Sequence, residues 1–345
     1  MKITQNNQDF SPPNMARILG DLDLFLGHFL GELYRSGPLK ASIQRSIEAR
    51  LMSHKRYSSG PFAPMSSSEL IKQGDKLPLF PVVFPGAAKE WRCTQNWSDE
   101  YLLRYTQDDP VLFIDPAGIS RKKLNPPYKI ANLHHYLKAK KTRDYLRFSP
   151  IARENEVLYS DINWQWLDQW IDGGSRGVQL FMGRLGDGTL LHNDQPSNFT
   201  IQVRGQKKWR IFHPAWSCLF SPPADRTVYL RTQVDAFADS ITQLWEQYGL
   251  VGWEITLNEG DILYNPPFFW HQVENLSDSI SLSCQWTTPS RAWSSSATQL
   301  LLRLFSTNPP IWKTMEYSKR DVNLIFAHFS NQKEAISKMV KKKVD

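Results

Sequence analysis

The stretch that most restricts how this chain can fold is Thr189-Leu-Leu-His192-Asn-Asp194-Gln-Pro-Ser-Asn198-Phe-Thr200-Ile-Gln-Val-Arg-Gly205-Gln-Lys207-Lys-Trp-Arg. Residues two apart on a strand share a face. His192 and Asp194 therefore project together, with Asn193 pointing away, and Asn198, Thr200 and Gln202 continue the same parity. Arg204-Gly205 permits a tight reversal, and on the returning strand Lys207, Trp209 and Ile211 share one face. A lysine directed into a barrel needs an anionic partner, because burying an unpaired charge is costly. A bound carboxylate would satisfy it.

A second histidine closes the run Gly260-Asp-Ile-Leu-Tyr-Asn-Pro-Pro-Phe-Phe-Trp-His271. Two histidines and one carboxylate form the ligand set of a non-haem Fe(II) oxygenase, with open positions suited to a bidentate 2-oxo acid and O₂. A His-x-Asp pair alone is common by chance. Its combination with an inward lysine after a glycine turn and a Trp-His ending is far more specific. Such a triad can also hold Zn²⁺, but a zinc hydrolase would leave Lys207 unexplained and lacks an evident general base. His28, on a helix, and His213, in Phe212-His-Pro, read as satisfied structural histidines, and the adjacent His134 and His135 cannot share a helix face as a ligand pair.

Around this centre, short strands with turn signals are expected at Phe199 to Val203, Trp209 to Phe212, Trp253 to Leu257, Asp261 to Tyr264 and Ile280 to Gln285, the pattern of a β-sandwich or barrel. Residues 215–250 read as a mixed insertion. Helices flank this region. Leu22, Phe25, Leu26, Phe29, Leu30 and Leu33 recur at helical spacing and predict a stripe facing a core, with Gly27 and Gly31 allowing close approach. Leu39, Ile43, Ile47 and Leu51 form a row on a second helix. Val322, Ile325, Phe326, Phe329, Ile336 and Met339 mark an amphipathic helix near the C-terminus. The expected organisation is an N-terminal helical region at 1–57, a Ser/Pro/Gly-rich linker at 58–80, a β-rich domain at 81–289 and a C-terminal helical region at 290–345.

Composition excludes several classes. Cys93, Cys218 and Cys284 are too widely spaced for a disulfide framework or a Cys-based zinc site, and suit a reducing compartment. No signal core or membrane-spanning run is evident, so the expected location is cytoplasmic. The net charge of +7 includes Lys341-Lys-Lys343 and is read mainly as solvated surface.

From about Pro81 to Thr287, through Pro81-Val-Val-Phe-Pro-Gly-Ala-Ala-Lys-Glu-Trp91, the His192-to-Arg210 segment and the Gly260-to-Trp286 segment, the chain resembles the JmjC-type, cupin-like Fe(II)/2-oxoglutarate oxygenases. The similarity is to their hydroxylase branch, which includes the asparaginyl hydroxylase of hypoxia-inducible factor. The resemblance implies a mainly β fold with helical flanks around a double-stranded β-helix (jelly-roll) core. It implies His192, Asp194 and His271 as iron ligands, Lys207 as partner of the distal carboxylate of 2-oxoglutarate, and Thr189, Asn198, Gln285 and Tyr145 as co-substrate contacts. Gln285 stands where the asparaginyl hydroxylase has Asn, and Tyr145 is matched through Asp144-Tyr-Leu-Arg-Phe.

The implied cofactor is Fe(II), with 2-oxoglutarate and O₂ as co-substrates, and the implied reaction is hydroxylation of a C–H bond, or demethylation where that carbon is an N-methyl. A protein or peptide side chain is the leading substrate. A tRNA base, a small metabolite or a lipid are alternatives, and nucleic-acid contact draws only on Arg121 to Lys123 and the basic tail. A non-catalytic cupin-like binding module is the competing class. The flanking helices suggest a homodimer, or a peripheral membrane contact through residues 14–56.

Overall fold

Alternating strands assemble into two sheets, and strand parity sorts the polar side chains that line a central cavity from apolar ones packed beneath helices and beside that cavity. This computed structural model describes residues 10–53, 58–67, 76–108, 110–114, 128–139, 144–173, 176–223, 226, 227 and 229–320. One sheet runs from edge to edge through Phe62–Pro64, Gly252–Leu257, Lys207–Phe212, Trp270–Asn275, His192–Asn193 and Leu230–Arg231. The other runs through Ser66–Ser67, Val82–Phe84, Ile262–Asn265, Ser197–Arg204, Ser279–Trp286, Arg176–Gly183, Tyr145–Ser149, Pro110–Ile114 and Tyr128–Asn132. Pairing is antiparallel except at Phe62–Pro64 and Ser66–Ser67, which join their neighbours in parallel. The mainly β, jelly-roll architecture with helical flanks is as expected.

The strand Ser279–Trp286 shows the division most clearly. Ile280, Leu282, Cys284 and Trp286 join a large apolar cluster with Phe199, Ile201 and Val203 of the neighbouring strand. Leu102, Leu133, Leu137, Leu158 and Leu167 cover that cluster from helices. The opposite parity, Ser281, Ser283 and Gln285, lines a cavity between the sheets. A second cluster, with Val83 and Leu263 of one sheet and Trp209, Ile211, Leu257 and Val273 of the other, fills the interior beside that cavity.

The turn at Gly205 does more than reverse the chain. Its φ of 75° suits glycine. Ser197–Arg204 and Lys207–Phe212 do not pair as a hairpin but belong to different sheets. The expected return strand therefore crosses over, and Lys207 faces Asn198 and Thr200 across the cavity. The reason is that each strand finds hydrogen-bond partners elsewhere: Lys207–Phe212 sits between Gly252–Leu257 and Trp270–Asn275.

The N-terminal helices lie against the six-stranded sheet. Ala16, Tyr34, Ile43, Ile47 and Leu51 pack with Leu191, Phe212, Trp216, Phe220 and Trp270. The buried face of the Asn14–Leu30 helix is not the expected stripe. Ala16, Gly20, Leu24 and Gly27 are buried, whereas Leu22, Phe25, Leu30 and Leu33 are exposed. Close packing selects the small face, since a Cβ on Gly20 would fall 2.6 Å from the Cβ of Cys218. Gly31 instead marks the helix end with φ 58° and has no close neighbour. Ile43, Ile47 and Leu51 are buried as expected, while Leu39 is exposed.

Part of the segment expected as a linker pairs into both sheets, through Phe62–Pro64 and Ser66–Ser67. The basic loop from Arg121, the helix expected from Val322 to Met339 and the Lys341 tail lie outside the described residues, apart from Tyr128 at the end of that loop.

Candidate active site

Strand pairing brings together the histidines that the sequence separates. His192 lies on the two-residue strand His192–Asn193, directly opposite His271 in antiparallel register. The ring centroids are 4.2 Å apart. Both rings are oriented from behind. His192 Nδ1 lies 2.7 Å from the Leu190 carbonyl, and His271 Nδ1 lies 2.9 Å from the Phe269 carbonyl. A carbonyl can only accept, so each Nδ1 carries the proton and each Nε2 keeps its lone pair; at His271 the 2.9 Å carbonyl contact outweighs that of Asn265 Nδ2 at 3.2 Å. Trp209 stacks on His271 at 5.6 Å, and Tyr229 tilts against His192 at 4.9 Å. Burial holds both imidazoles neutral: His271 is pushed down to about 4, and His192 well below its ordinary value, further lowered by its neighbours His271 and Arg147. Asn193 points away, donating to Gln299 Oε1 at 2.8 Å on the helix Pro289–Leu304.

Asp194 follows the end of that short strand and lines the same cavity. Among the described residues no three acidic, histidine or cysteine side chains close into a metal-binding cluster. Asp194 Oδ2 instead accepts a long hydrogen bond, 3.4 Å, from Gln285 Nε2. Burial pushes the Asp194 carboxyl up to about 7, with the Arg303 guanidinium pulling the other way. Arg303 belongs to the helix Pro289–Leu304, whose role toward Asp194 no sequence motif signalled.

The donor chemistry suits a divalent transition metal. Two neutral imidazoles with Nδ1 anchored to carbonyls are the usual outer support for metal-ligating histidines, and a carboxylate shares their cavity.

Lys207 is 2% exposed, and its ammonium donates to Ser281 Oγ. No carboxylate makes an ion pair with it among the described residues. The rings of Phe181 and Tyr145 lie 5.8 and 5.9 Å from Nζ. Burial pushes this amine down to about 7, deepened by the positive charge of Arg147 and opposed by Asp187. The remaining expected contacts are also here. Thr189 Oγ1 accepts from Val273 N at 3.1 Å, Asn198 Nδ2 donates to Thr200 Oγ1 at 3.1 Å, and Asn198 Oδ1 accepts from Ser283 Oγ at 2.8 Å. Thr189, Asn198, Gln285 and Tyr145 line one cavity with His192, Asp194, His271 and Lys207.

Sequence reasoning missed Arg147, Ser281 and Phe181, which line the same cavity. Arg147 had a signal, since it shares strand parity with Tyr145. Ser281 stands at the same parity as Gln285.

A model of a cupin-like domain family matches residues 77–292. Lysine-specific demethylase JMJ30 of Arabidopsis thaliana is 25% identical over 230 residues, covering 64% of this chain and 52% of that protein. JmjC domain-containing protein D of Dictyostelium discoideum is 27% identical over 256 residues, 66% of this chain and 55% of its own. The 2-oxoglutarate and iron-dependent oxygenase JMJD4 of Homo sapiens is 26% identical over 243 residues, 62% of this chain and 57% of its own. The chain thus spans about half the length of these curated relatives. With the family match covering well over half of its residues, the chain belongs to the cupin-like domain family.

Proposed function

We propose that this protein is an Fe(II)- and 2-oxoglutarate-dependent dioxygenase that hydroxylates a C–H bond on a protein or peptide side chain. The observation that carries the reading is a cavity with two neutral, oriented histidines on one wall and a buried lysine without a carboxylate partner among the described residues on the same sheet. His192, His271 and Asp194 hold the metal. Lys207 receives the distal carboxylate of 2-oxoglutarate, supported by Ser281, Tyr145 and Thr189, while Asn198 and Gln285 border the co-substrate.

When bound, iron(II) with O₂ and 2-oxoglutarate supplies the oxidising power for C–H cleavage, 2-oxoglutarate leaving as succinate and CO₂. The chain's own residues provide binding and exclusion of water. The Leu190 and Phe269 carbonyls keep both imidazoles in the ligating tautomer. Trp209 and Phe181 shield the interior. The relative named as an oxygenase and the demethylase-named relative support the reaction class. Relatives named as lysine-specific demethylases favour a protein substrate over a nucleic acid, metabolite or lipid.

The expected compartment is the cytoplasm, a reading supported by three buried cysteines that form no disulfide. No helix among the described residues is long and apolar enough to cross a membrane. The exposed face of Leu22, Phe25 and Leu33 supports a homodimer through the flanking helices. The proposed domain division keeps these helices as separate regions around the β core.

The test is an anaerobic titration with Fe(II) and then 2-oxoglutarate, following the visible metal-to-ligand charge-transfer band. The band is expected in the wild type, absent in His192→Ala, and formed only at much higher 2-oxoglutarate in Lys207→Ala. A folded, iron-loaded wild type without the band would overturn the oxygenase reading in favour of a binding module.

A further inference from the structure

The cavity holds a second buried cation that the co-substrate does not require. Arg147 is 6% exposed and lines the cavity beside the histidine pair. Its Nε has no hydrogen-bond partner, and no ion pair reaches the guanidinium among the described residues. Its contacts are aromatic: Cζ lies 4.9 Å from the Phe148 ring centroid and 5.8 Å from that of Tyr145. Stacked rings stabilise a guanidinium only in part. A shielded cation without an acceptor signals a partner still to come.

The backbone is shaped to present this side chain. Pairing of Tyr145–Ser149 with Arg176–Gly183 shifts register between Leu146 and Ser149. Phe148, next to Arg147, has φ 55°, an unfavourable region for an aromatic residue. Strand irregularities of this kind re-aim side chains and gather at functional sites.

Arg147 and Lys207 are not equivalent. Lys207 is engaged by Ser281 and lies against Phe181. Arg147 has no such polar partner among the described residues and lies over the rings of Phe148 and Tyr145 on the wall of the same cavity. With Lys207 assigned to the distal carboxylate of 2-oxoglutarate, Arg147 is the lining cation left for a second carboxylate. A guanidinium recognises a carboxylate by paired parallel hydrogen bonds.

We propose that Arg147 binds a carboxylate of the primary substrate, so that the protein acts on peptides carrying Asp or Glu at or next to the oxidised residue; this rests on the oxygenase reading of the same cavity.

The test uses the full chain loaded with Mn(II) and 2-oxoglutarate. Arrayed peptides with a central Asp or Glu are compared with their Asn or Gln twins, for the wild type, Arg147→Gln and Arg147→Lys. The wild type is expected to favour the acidic twin by about tenfold, a ratio that Arg147→Gln abolishes and Arg147→Lys partly restores. Affinity for 2-oxoglutarate, measured separately by calorimetry, is expected to stay within about threefold of wild type in Arg147→Gln, with thermal melting checking the fold. An acidic preference that survives in Arg147→Gln overturns the proposal, as does a wild type that binds no peptide or shows no preference. A fall in 2-oxoglutarate affinity in Arg147→Gln as large as in Lys207→Ala would instead assign Arg147 to the co-substrate. Absence of 2-oxoglutarate binding in the wild type is a different failure, that of the oxygenase reading itself.

Discussion

The imidazoles of His192 and His271 meet across a single antiparallel register pair, with ring centroids 4.2 Å apart and each Nδ1 committed to a backbone carbonyl two residues earlier. The same local device is thus used twice, on two strands far apart in the chain. It fixes the tautomer before any metal arrives.

Metal affinity should depend on Asp194 near neutral pH. Its folded value is raised to about 7, so the ligating carboxylate predominates only above that value. The histidines add nothing in this window, being neutral already. Binding of Mn(II) should be full at high pH and weaken by up to about tenfold per unit below pH 7, with about one proton released per metal. Calorimetry in buffers of different ionisation enthalpy checks this; a flat profile would count against Asp194 as a ligand.

Lys207 predicts the opposite slope for 2-oxoglutarate. Its folded value is lowered to about 7, so the cation that attracts the distal carboxylate is present below that value and lost above it. Affinity should fall as pH rises through 7, with uptake of up to about one proton on binding. The two slopes together give a bell-shaped dependence of turnover. Proton release on 2-oxoglutarate binding would refute the assignment.

Lys207→Met should separate stability from function. Replacing a buried, unpaired cation by an apolar side chain of similar length should stabilise the fold by on the order of 1 kcal/mol in urea unfolding. The same variant should lose at least about tenfold in 2-oxoglutarate affinity, since a charge-assisted hydrogen bond is removed. A destabilised Lys207→Met would mean that the ammonium is better satisfied than its Ser281 contact indicates.

Gly20→Leu should destabilise without touching the site. The helix approaches Cys218 so closely that even a Cβ would stand 2.6 Å from the cysteine Cβ. Overpacking there should cost about 1–3 kcal/mol, with metal affinity of the folded fraction unchanged. Thermal melting beside Mn(II) titration reads both.

The exposed row of the first helix should hold two copies together. Wild type is expected to sediment as a dimer, and Leu22→Lys with Phe25→Lys as a monomer of unchanged melting temperature, because both side chains are already half exposed. A monomeric wild type that floats with anionic vesicles would support the membrane contact instead.

The strands, the His-x-Asp pair, the second histidine and the inward lysine were legible because their signals are local. Strand parity places Ser281 with Gln285 and Lys207 with Trp209 wherever the strands pack. The JmjC-type resemblance rested on the same short segments. What sequence could not supply was partnership. Parity says that a face exists but not what lies opposite, which is why the segment after Gly205 read as a returning strand with no sign that it crosses between sheets. The first helix offered two faces, and the larger apolar one looked like the core side. Packing chose the small face, because Gly20 allows a backbone approach that bulky side chains forbid. Parity put Arg147 on the face of Tyr145 but only tertiary structure showed it in the cavity, and Arg303 reaches Asp194 from the far end of the helix Pro289–Leu304, past the family match. Sequence by itself determined the ligand types and the alternating pattern, since both depend on covalent spacing. Tertiary structure alone decided which charges share the cavity, since electrostatic neighbours are set by distance in space.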